Sequence, residues 1–226
     1  MNFTFAIITD GKQYERVEKI ISSIVPQMLP HDEILVVCEQ MVAHTGTKTI
    51  ISGTDKRCWI TRKKNLVAKY AENDNLVILH DYIFFDACWR NNWELFGDDW
   101  DYAMNVIMCN GKRYRDWCAW DDPSHGYPWT CYDTWCPQGY IFNGRPCIVP
   151  YEYTKTQYTY TSGAFFLVKK QMLLDNPLNE SLVWGQGEDV EWSIRVREKY
   201  EYVMNPTSCV HLLKDKDPVL PFVGLQ

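Results

Sequence analysis

The residues best equipped for chemistry form the run Leu182-Val183-Trp184-Gly185-Gln186-Gly187-Glu188-Asp189-Val190-Glu191-Trp192-Ser193-Ile194-Arg195. Gly185 and Gly187 permit tight turns and close backbone approach to a ligand. Two adjacent carboxylates follow, and then the spacing turns helical. Trp192 and Val196 lie four apart on one side, Glu191 and Arg195 four apart on another. Glu188 and Asp189 are therefore expected in the first turn of a helix, under a glycine-rich loop, where the helix field keeps carboxylates ionised. An ionised carboxylate in that place suits a general base for a sugar hydroxyl. Two acids in a first turn also suit plain helix capping, and the residues alone leave both readings open.

A second candidate is His80-Asp81-Tyr82, directly after the apolar run Leu76-Val77-Ile78-Leu79. A carboxylate at the end of a buried strand is placed to hold a divalent cation, which prefers oxygen ligands and bridges to phosphates. The alternative is a solvated strand end. The short basic run Arg62-Lys63-Lys64 is suited to a diphosphate, and equally to a solvated helix face. His211, in an apolar stretch, is by itself more often a hydrogen-bonded core residue than a ligand.

These groups need a frame. Phe3 to Thr9 reads as a buried strand ending at the turn signal Asp10-Gly11. Tyr14 to Val25 has helical spacing at Val17, Ile20, Ile21 and Ile24, and Pro26 and Pro30 close it. Ile34–Cys38 and Leu76–Leu79 read as further strands, with a helix over Ile60–Tyr70 between them. Alternating strands and helices imply parallel pairing with right-handed crossovers, and ligands on such sheets bind beyond the carboxyl ends of the strands. Those ends are Thr9-Asp10, Cys38-Glu39 and His80-Asp81. In the second half, residues 101–108 and 156–168 read as strands, 110–152 as long loops with short strands, and 181–199 as the acid-pair loop with its helix. Tyr202–Met204 and Cys209–Leu213 read as short final strands before a charged tail. A loop region that long inside one domain is usually functional.

Composition narrows the function classes. A chain of 226 residues with 46% hydrophobic and 23% charged residues suits one globular domain. The net charge of −6, without a basic stripe, removes the electrostatic footprint of a duplex-binding protein. Ten tryptophans and fourteen tyrosines suit either a thick aromatic core or platforms for the flat faces of sugars. The nine cysteines include no Cys-x-x-Cys pair, which argues against a zinc site; Cys131 and Cys136 are the closest two. Cys38 and Cys209 read as buried thiols, and a reducing, cytoplasmic setting is expected. The first residues read as a strand rather than a signal peptide, and no apolar run is long enough to span a bilayer.

The run from Trp184 to Arg195 resembles the Trp-Gly-x-Gly-Glu-Asp motif of metal-dependent GT-A glycosyltransferases, including the β-1,4-galactosyltransferase and polypeptide GalNAc-transferase relatives. The resemblance implies an α/β fold of GT-A type, with a mostly parallel central sheet flanked by helices. It implies a single domain over 1–226, with a nucleotide-binding half (1–100), an acceptor-binding half (101–213) and a tail (214–226). It implies an inverting hexosyl transfer from a nucleotide sugar, expected to be a UDP-sugar, to a hydroxyl of a glycan or other acceptor. Asp189 would be the base, with Glu188 gripping the acceptor. The metal, Mn²⁺ or Mg²⁺, would rest on Asp81, where the family has Asp-x-Asp and this chain has one acid, and on His211. Mixed carboxylate and imidazole ligation suits Mn²⁺. Thr9, Asp10 and Glu39 would border the nucleoside. Arg62, Lys64 and Asn65 would contact the nucleotide, and His80, Gly163, Trp184 and Gly185 would lie along the donor sugar. The acceptor region would draw on Trp184 and some of Trp117, Trp120, Trp129, Trp135 and Tyr140.

Two other readings stay open. A non-catalytic carbohydrate-binding module would use the aromatic surplus but needs no acid pair or nucleotide contacts. A DNA-base glycosyltransferase is a variant of the first reading, weakened by the acidic charge. A nucleotidyltransferase would need a glycine-rich loop after the first strand, where only Gly11 stands.

Overall fold

The computed structural model describes residues 1–56, 59–121, 145–156, 159–217 and 219–221. The chain opens with β1 (Phe3–Ile8), α1 (Tyr14–Ile24), β2 (Glu33–Cys38), β3 (Lys48–Ile51), α2 (Ile60–Tyr70) and β4 (Asn75–His80). Next come β5 (Ile83–Phe85), α3 (Trp89–Phe96), β6 (Tyr102–Cys109), β7 (Lys112–Arg113), β8 (Cys118–Asp121) and β9 (Arg145–Ile148). The remainder is β10 (Thr159–Tyr160), β11 (Phe165–Lys169), α4 (Lys170–Asp175), α5 (Glu188–Val196), β12 (Tyr202–Leu212) and β13 (Leu220–Pro221).

The main sheet runs β3-β2-β1-β4-β11-β6-β12-β5, with β7 on β6. β1, β2, β3 and β4 pair in parallel, as the alternation of strands and helices predicts. Every residue of β1 is buried, the pattern of a parallel strand covered on both faces. The helix α1 turns Val17, Ile20, Ile21 and Ile24 onto the sheet, the one-face spacing that its sequence carries.

The second half departs from a mostly parallel reading. β11 is antiparallel to both β4 and β6, and β5 is antiparallel to β12, so the sheet is mixed. The stretch read as one strand over 156–168 is two short strands broken at Thr161–Ala164. Conversely, the two short strands read near the end are one long β12, with a register shift between Asn205 and Cys209. Pro206 lies in that shift; having no N–H to donate, a proline is tolerated at a bulge. A smaller sheet, β10-β8-β9-β13, lies in the second half.

Much of the aromatic surplus is structural. Trp89, Trp93, Trp192, Tyr102 and Tyr160 are among the largest fully buried side chains. Trp192 fixes α5 by packing edge-on to Tyr102 and against Phe166, while its Nε1–H donates to the Asn176 carbonyl at 2.7 Å. Among the described residues no helix is long and apolar enough to cross a membrane.

Candidate functional site

The site forms where β1 and β4 end side by side. Ile8 pairs with His80, the Asp81 N–H donates to the Ile8 carbonyl, and the Thr9 hydroxyl donates to Asp81 Oδ2 at 2.7 Å. Burial pushes the Asp81 carboxyl above its usual range, against the pull of the Thr9 hydroxyl. Because β11 runs antiparallel to β4, its start meets the end of β4, and the His80 N–H donates to the Ala164 carbonyl. The small-residue turn Ser162-Gly163-Ala164 is thereby carried to the same place.

The helix α5 is delivered there by two ties. Thr161 N–H donates to Ser193 Oγ at 3.0 Å, and Gly163 N–H donates to Asp189 Oδ2 at 2.9 Å. Gly187 caps the helix with φ of 63°, a left-handed conformation that favours glycine. Acids in the first turn and Arg195 in the last complement the helix dipole. The loop before α5 is held against α2, where the Thr61 hydroxyl and the Trp59 ring N–H donate to the Leu182 and Glu180 carbonyls.

Two adjoining cavities result. One, of about 260 Å³, is lined by Glu188, Asp189, Gly163, Gly185, Tyr114, Arg115 and Lys216 among others. The other, of about 320 Å³, is lined by Thr9, Asp10, Glu39, Lys63, Asp81 and Lys214 among others. Ile60, His80, Tyr82 and Trp184 line both, so they form the wall between a carboxylate pair and the ends of β1 and β4. Trp184 is 64% exposed, an open apolar face at that boundary. Burial holds His80 well below the usual imidazole range, and its Nε2 is enclosed without a hydrogen-bond partner among the described residues.

Glu188 and Asp189 have different surroundings. Glu188 is buried and paired with Lys64, Oε1 to Nζ at 3.2 Å; burial nevertheless raises its carboxyl above the usual range. Asp189 accepts hydrogen bonds from the backbone N–H groups of Gly163 and Val190. Arg115 stands 3.7 Å from Asp189 Oδ2, with φ of 33° and its Nε enclosed without a hydrogen-bond partner among the described residues. A non-glycine residue in that conformation is strained, and such strain clusters at functional sites.

Thr9, Asp10, Glu39, His80, Asp81, Gly163, Trp184, Gly185, Glu188 and Asp189 thus gather around the two adjoining cavities. Other expected positions lie elsewhere. Lys64 sits beneath the cleft, fully buried against Glu188, rather than open to a diphosphate. Arg62 donates to the Ser52 carbonyl and pairs with Glu180, and Asn65 clamps Leu178 and Glu180. The buried residues of α2 include Ile60, Lys63, Lys64 and Val67 at the 3–4 spacing of a helix side, with Thr61, Asn65 and Ala68 beside them, and Lys63 is the cation it presents to the cleft. Lys63 donates to the Thr9 carbonyl and to Glu39 Oε1.

His211 is opposite Phe84 in the β12–β5 pairing, its Nε2 3.7 Å from Asp86 Oδ2, and it lines neither cavity. Among the described residues no three His, Cys, Asp or Glu side chains converge as a ligand set. A divalent cation would therefore rest on Asp81 with oxygens from the substrate and water, an arrangement that suits Mg²⁺-like ions bound through one or two carboxylates plus phosphates. Trp117 is core, packed on Tyr202 with its ring N–H donating to the Tyr153 carbonyl. Trp129, Trp135, Tyr140 and the Trp120 side chain lie outside the described residues.

Sequence reasoning gave Tyr82 no role of its own and missed Arg115, Lys214 and Lys216. The last two lie in what reads as a tail, yet Leu220–Pro221 pairs in parallel with β9, and both lysines line the cleft. Lys214 lies 3.5 Å above the Tyr82 ring; burial and the neighbouring Lys216 bring its ammonium down to about 8.

No protein-family model matches the chain, and no curated protein matches it in sequence. Solved structures do match. GalNAc-T7 with UDP, GalNAc and Mn²⁺ is similar over 97% of this chain and 45% of its own, at 12% identity and a TM-score of 0.66. TarS 1–349 from S. aureus with UDP-GlcNAc is similar over 96% of this chain and 60% of its own, at 14% identity and a TM-score of 0.58. The mannosyltransferase PcManGT from Pyrobaculum calidifontis with GDP-Man and Mn²⁺ covers 95% and 57%, at 11% identity and a TM-score of 0.57. The chain spans about half the length of these proteins. The likeness shows the fold, which is the GT-A fold of nucleotide-sugar glycosyltransferases.

Proposed function

We propose that the chain is a glycosyltransferase that moves a hexose from a nucleoside diphosphate sugar, expected to be a UDP-sugar, to a hydroxyl of a glycan or other acceptor, with inversion. The observation that carries this reading is the single cleft with Asp81 and Thr9 at one end and Glu188 and Asp189 at the other, joined by His80, Tyr82 and Trp184. The fold supports it, because the three solved structures above hold UDP, UDP-GlcNAc or GDP-Man.

In this reading the nucleoside lies along Thr9, Asp10 and Glu39. Trp184 offers its exposed face to a sugar, and the enclosed Nε2 of His80 offers the wall one unused polar atom. Asp189 takes the proton of the acceptor hydroxyl, whose oxygen forms the new bond to the anomeric carbon. The bond from that carbon to the diphosphate breaks, and the nucleoside diphosphate leaves with the electron pair. Glu188, fixed by Lys64, orients the acceptor. A divalent cation held at Asp81 would supply charge stabilisation to the leaving diphosphate. A reducing, cytoplasmic setting is part of this reading, with Cys38, Cys88, Cys109, Cys118 and Cys209 free among the described residues.

The test is a screen of UDP-, GDP- and TDP-sugars for hydrolysis or transfer, with Mn²⁺ and with EDTA. Turnover of one donor, lost in Asp189→Asn, supports the reading. Absence of binding to every nucleoside diphosphate overturns it.

A further inference from the structure

The cations around the cleft fall into two groups. Lys63 is engaged with Thr9 and Glu39, Lys64 with Glu188, Arg62 with Ser52 and Glu180, and Arg115 stands beside Tyr160 and Asp189. Lys214 and Lys216 instead rest over the face of Tyr82, at 3.5 and 5.6 Å from its centroid. Lys214 lines the cavity with Asp81 and Lys216 the cavity with Asp189, so the two cations flank the wall between nucleoside and acid pair.

The segment that carries them is anchored. Leu213 N–H donates to the Tyr82 carbonyl at 2.8 Å, Asn110 Nδ2 donates to Asp215 Oδ1 at 2.9 Å, and Leu220–Pro221 is strand-paired with β9. Two like charges over the face of one ring repel each other and are relieved by a multivalent anion between or beside them. Of the three carboxylates that line the donor end, Glu39 is paired with Lys63 and Asp10 lies 3.8 Å from Lys12, so Asp81 is the one left for a cation, and much of a diphosphate's charge falls to the protein's own cations.

We propose that Lys214 and Lys216 are the diphosphate-binding residues of this chain, holding the donor and its leaving group directly, so that nucleoside diphosphate binding persists without a divalent metal. This rests on the donor reading given under Proposed function.

The test is calorimetric titration of the full chain in EDTA with UDP, GDP and inorganic pyrophosphate. The variants are Lys214→Gln/Lys216→Gln, Lys214→Arg/Lys216→Arg, and Lys19→Gln, which removes one positive charge at an exposed helix position away from the cleft. The wild type is expected to bind UDP or GDP, and pyrophosphate, in EDTA, with affinity falling as salt rises. The double Gln variant should lose at least about tenfold per lysine, the double Arg variant should retain most of the affinity, and Lys19→Gln should match the wild type. Thermal melting of each variant separates lost binding from lost fold. Binding that requires Mn²⁺ and is unchanged in the double Gln variant overturns this inference and leaves the glycosyltransferase reading standing. No binding of any nucleoside diphosphate by the wild type, with Mn²⁺ or EDTA, overturns both.

Discussion

Gly163 donates its backbone N–H to Asp189 Oδ2 at 2.9 Å, and a Cβ on Gly163 would lie 2.9 Å from that oxygen and equally close to Glu188 Oε1. The glycine is needed less for a sugar than for its two acids. It lets the turn before β11 approach α5 so closely that the backbone itself orients the proposed base.

Gly163→Ala should therefore displace both carboxylates while leaving the sheet intact. A misplacement of about 1 Å is enough to cost on the order of a hundredfold in rate. Steady-state kinetics should show that loss in turnover with nucleotide affinity little changed, and thermal melting should show a folded protein. Near-normal turnover would mean that Asp189 does not need this orientation.

The buried pair Lys64–Glu188 gives a stability prediction in place of the diphosphate contact that the sequence suggests for Lys64. Lys64→Met leaves Glu188 without its partner and should cost about 3–5 kcal/mol. The double variant Lys64→Met/Glu188→Gln removes both charges and should recover most of that loss. Denaturant unfolding of the two variants checks the sign; equal losses in both would show that the charge pairing is not the cause.

Glu188 also sets a pH dependence. Its carboxyl is raised above the ordinary value in the folded protein, chiefly by burial. Between the unfolded value of about 4.3 and that raised value, the folded state holds a proton that the unfolded chain has released. Stability from this group is thus fully present below the unfolded value and is lost as pH rises through the folded one. The difference in unfolding free energy between wild type and Glu188→Gln should fall with rising pH across that window. A flat or rising difference would contradict the assignment.

Legibility in the sequence followed the range of the interactions. The parallel half is written in local patterns, continuous apolar runs and a 3–4 helical stripe, and α2 spans the predicted Ile60–Tyr70. The acid-pair loop was equally plain, because its glycines and carboxylates are contiguous. What could not be read depended on partners far along the chain. Choosing among Arg62, Lys63 and Lys64 needs the rotation of α2, which is set by packing on the sheet. His211 is directed by its pairing with β5 and by Asp86, neither of which its neighbours in sequence announce. Lys214 and Lys216 look like a solvated tail until Leu220–Pro221 pairs with β9 and draws the segment past Tyr82.

Trp184 is the exposed aromatic face shared by the two cavities. Because it is exposed, Trp184→Ala should leave the melting temperature nearly unchanged. It should weaken affinity for the nucleotide sugar by about tenfold, the scale of a lost aromatic contact, with a smaller effect on the free nucleotide. Titration with both ligands distinguishes a sugar platform from a purely structural loop residue.

The central claim is that Asp189 is the base that activates the acceptor. The most direct measurement is turnover of Asp189→Asn with its nucleotide-sugar affinity measured on the same preparation. The account predicts a fall in turnover of about a hundred- to ten-thousandfold at nearly unchanged affinity, because Asn keeps the shape and removes the basicity. Turnover close to that of the wild type, with the donor bound normally, would contradict it.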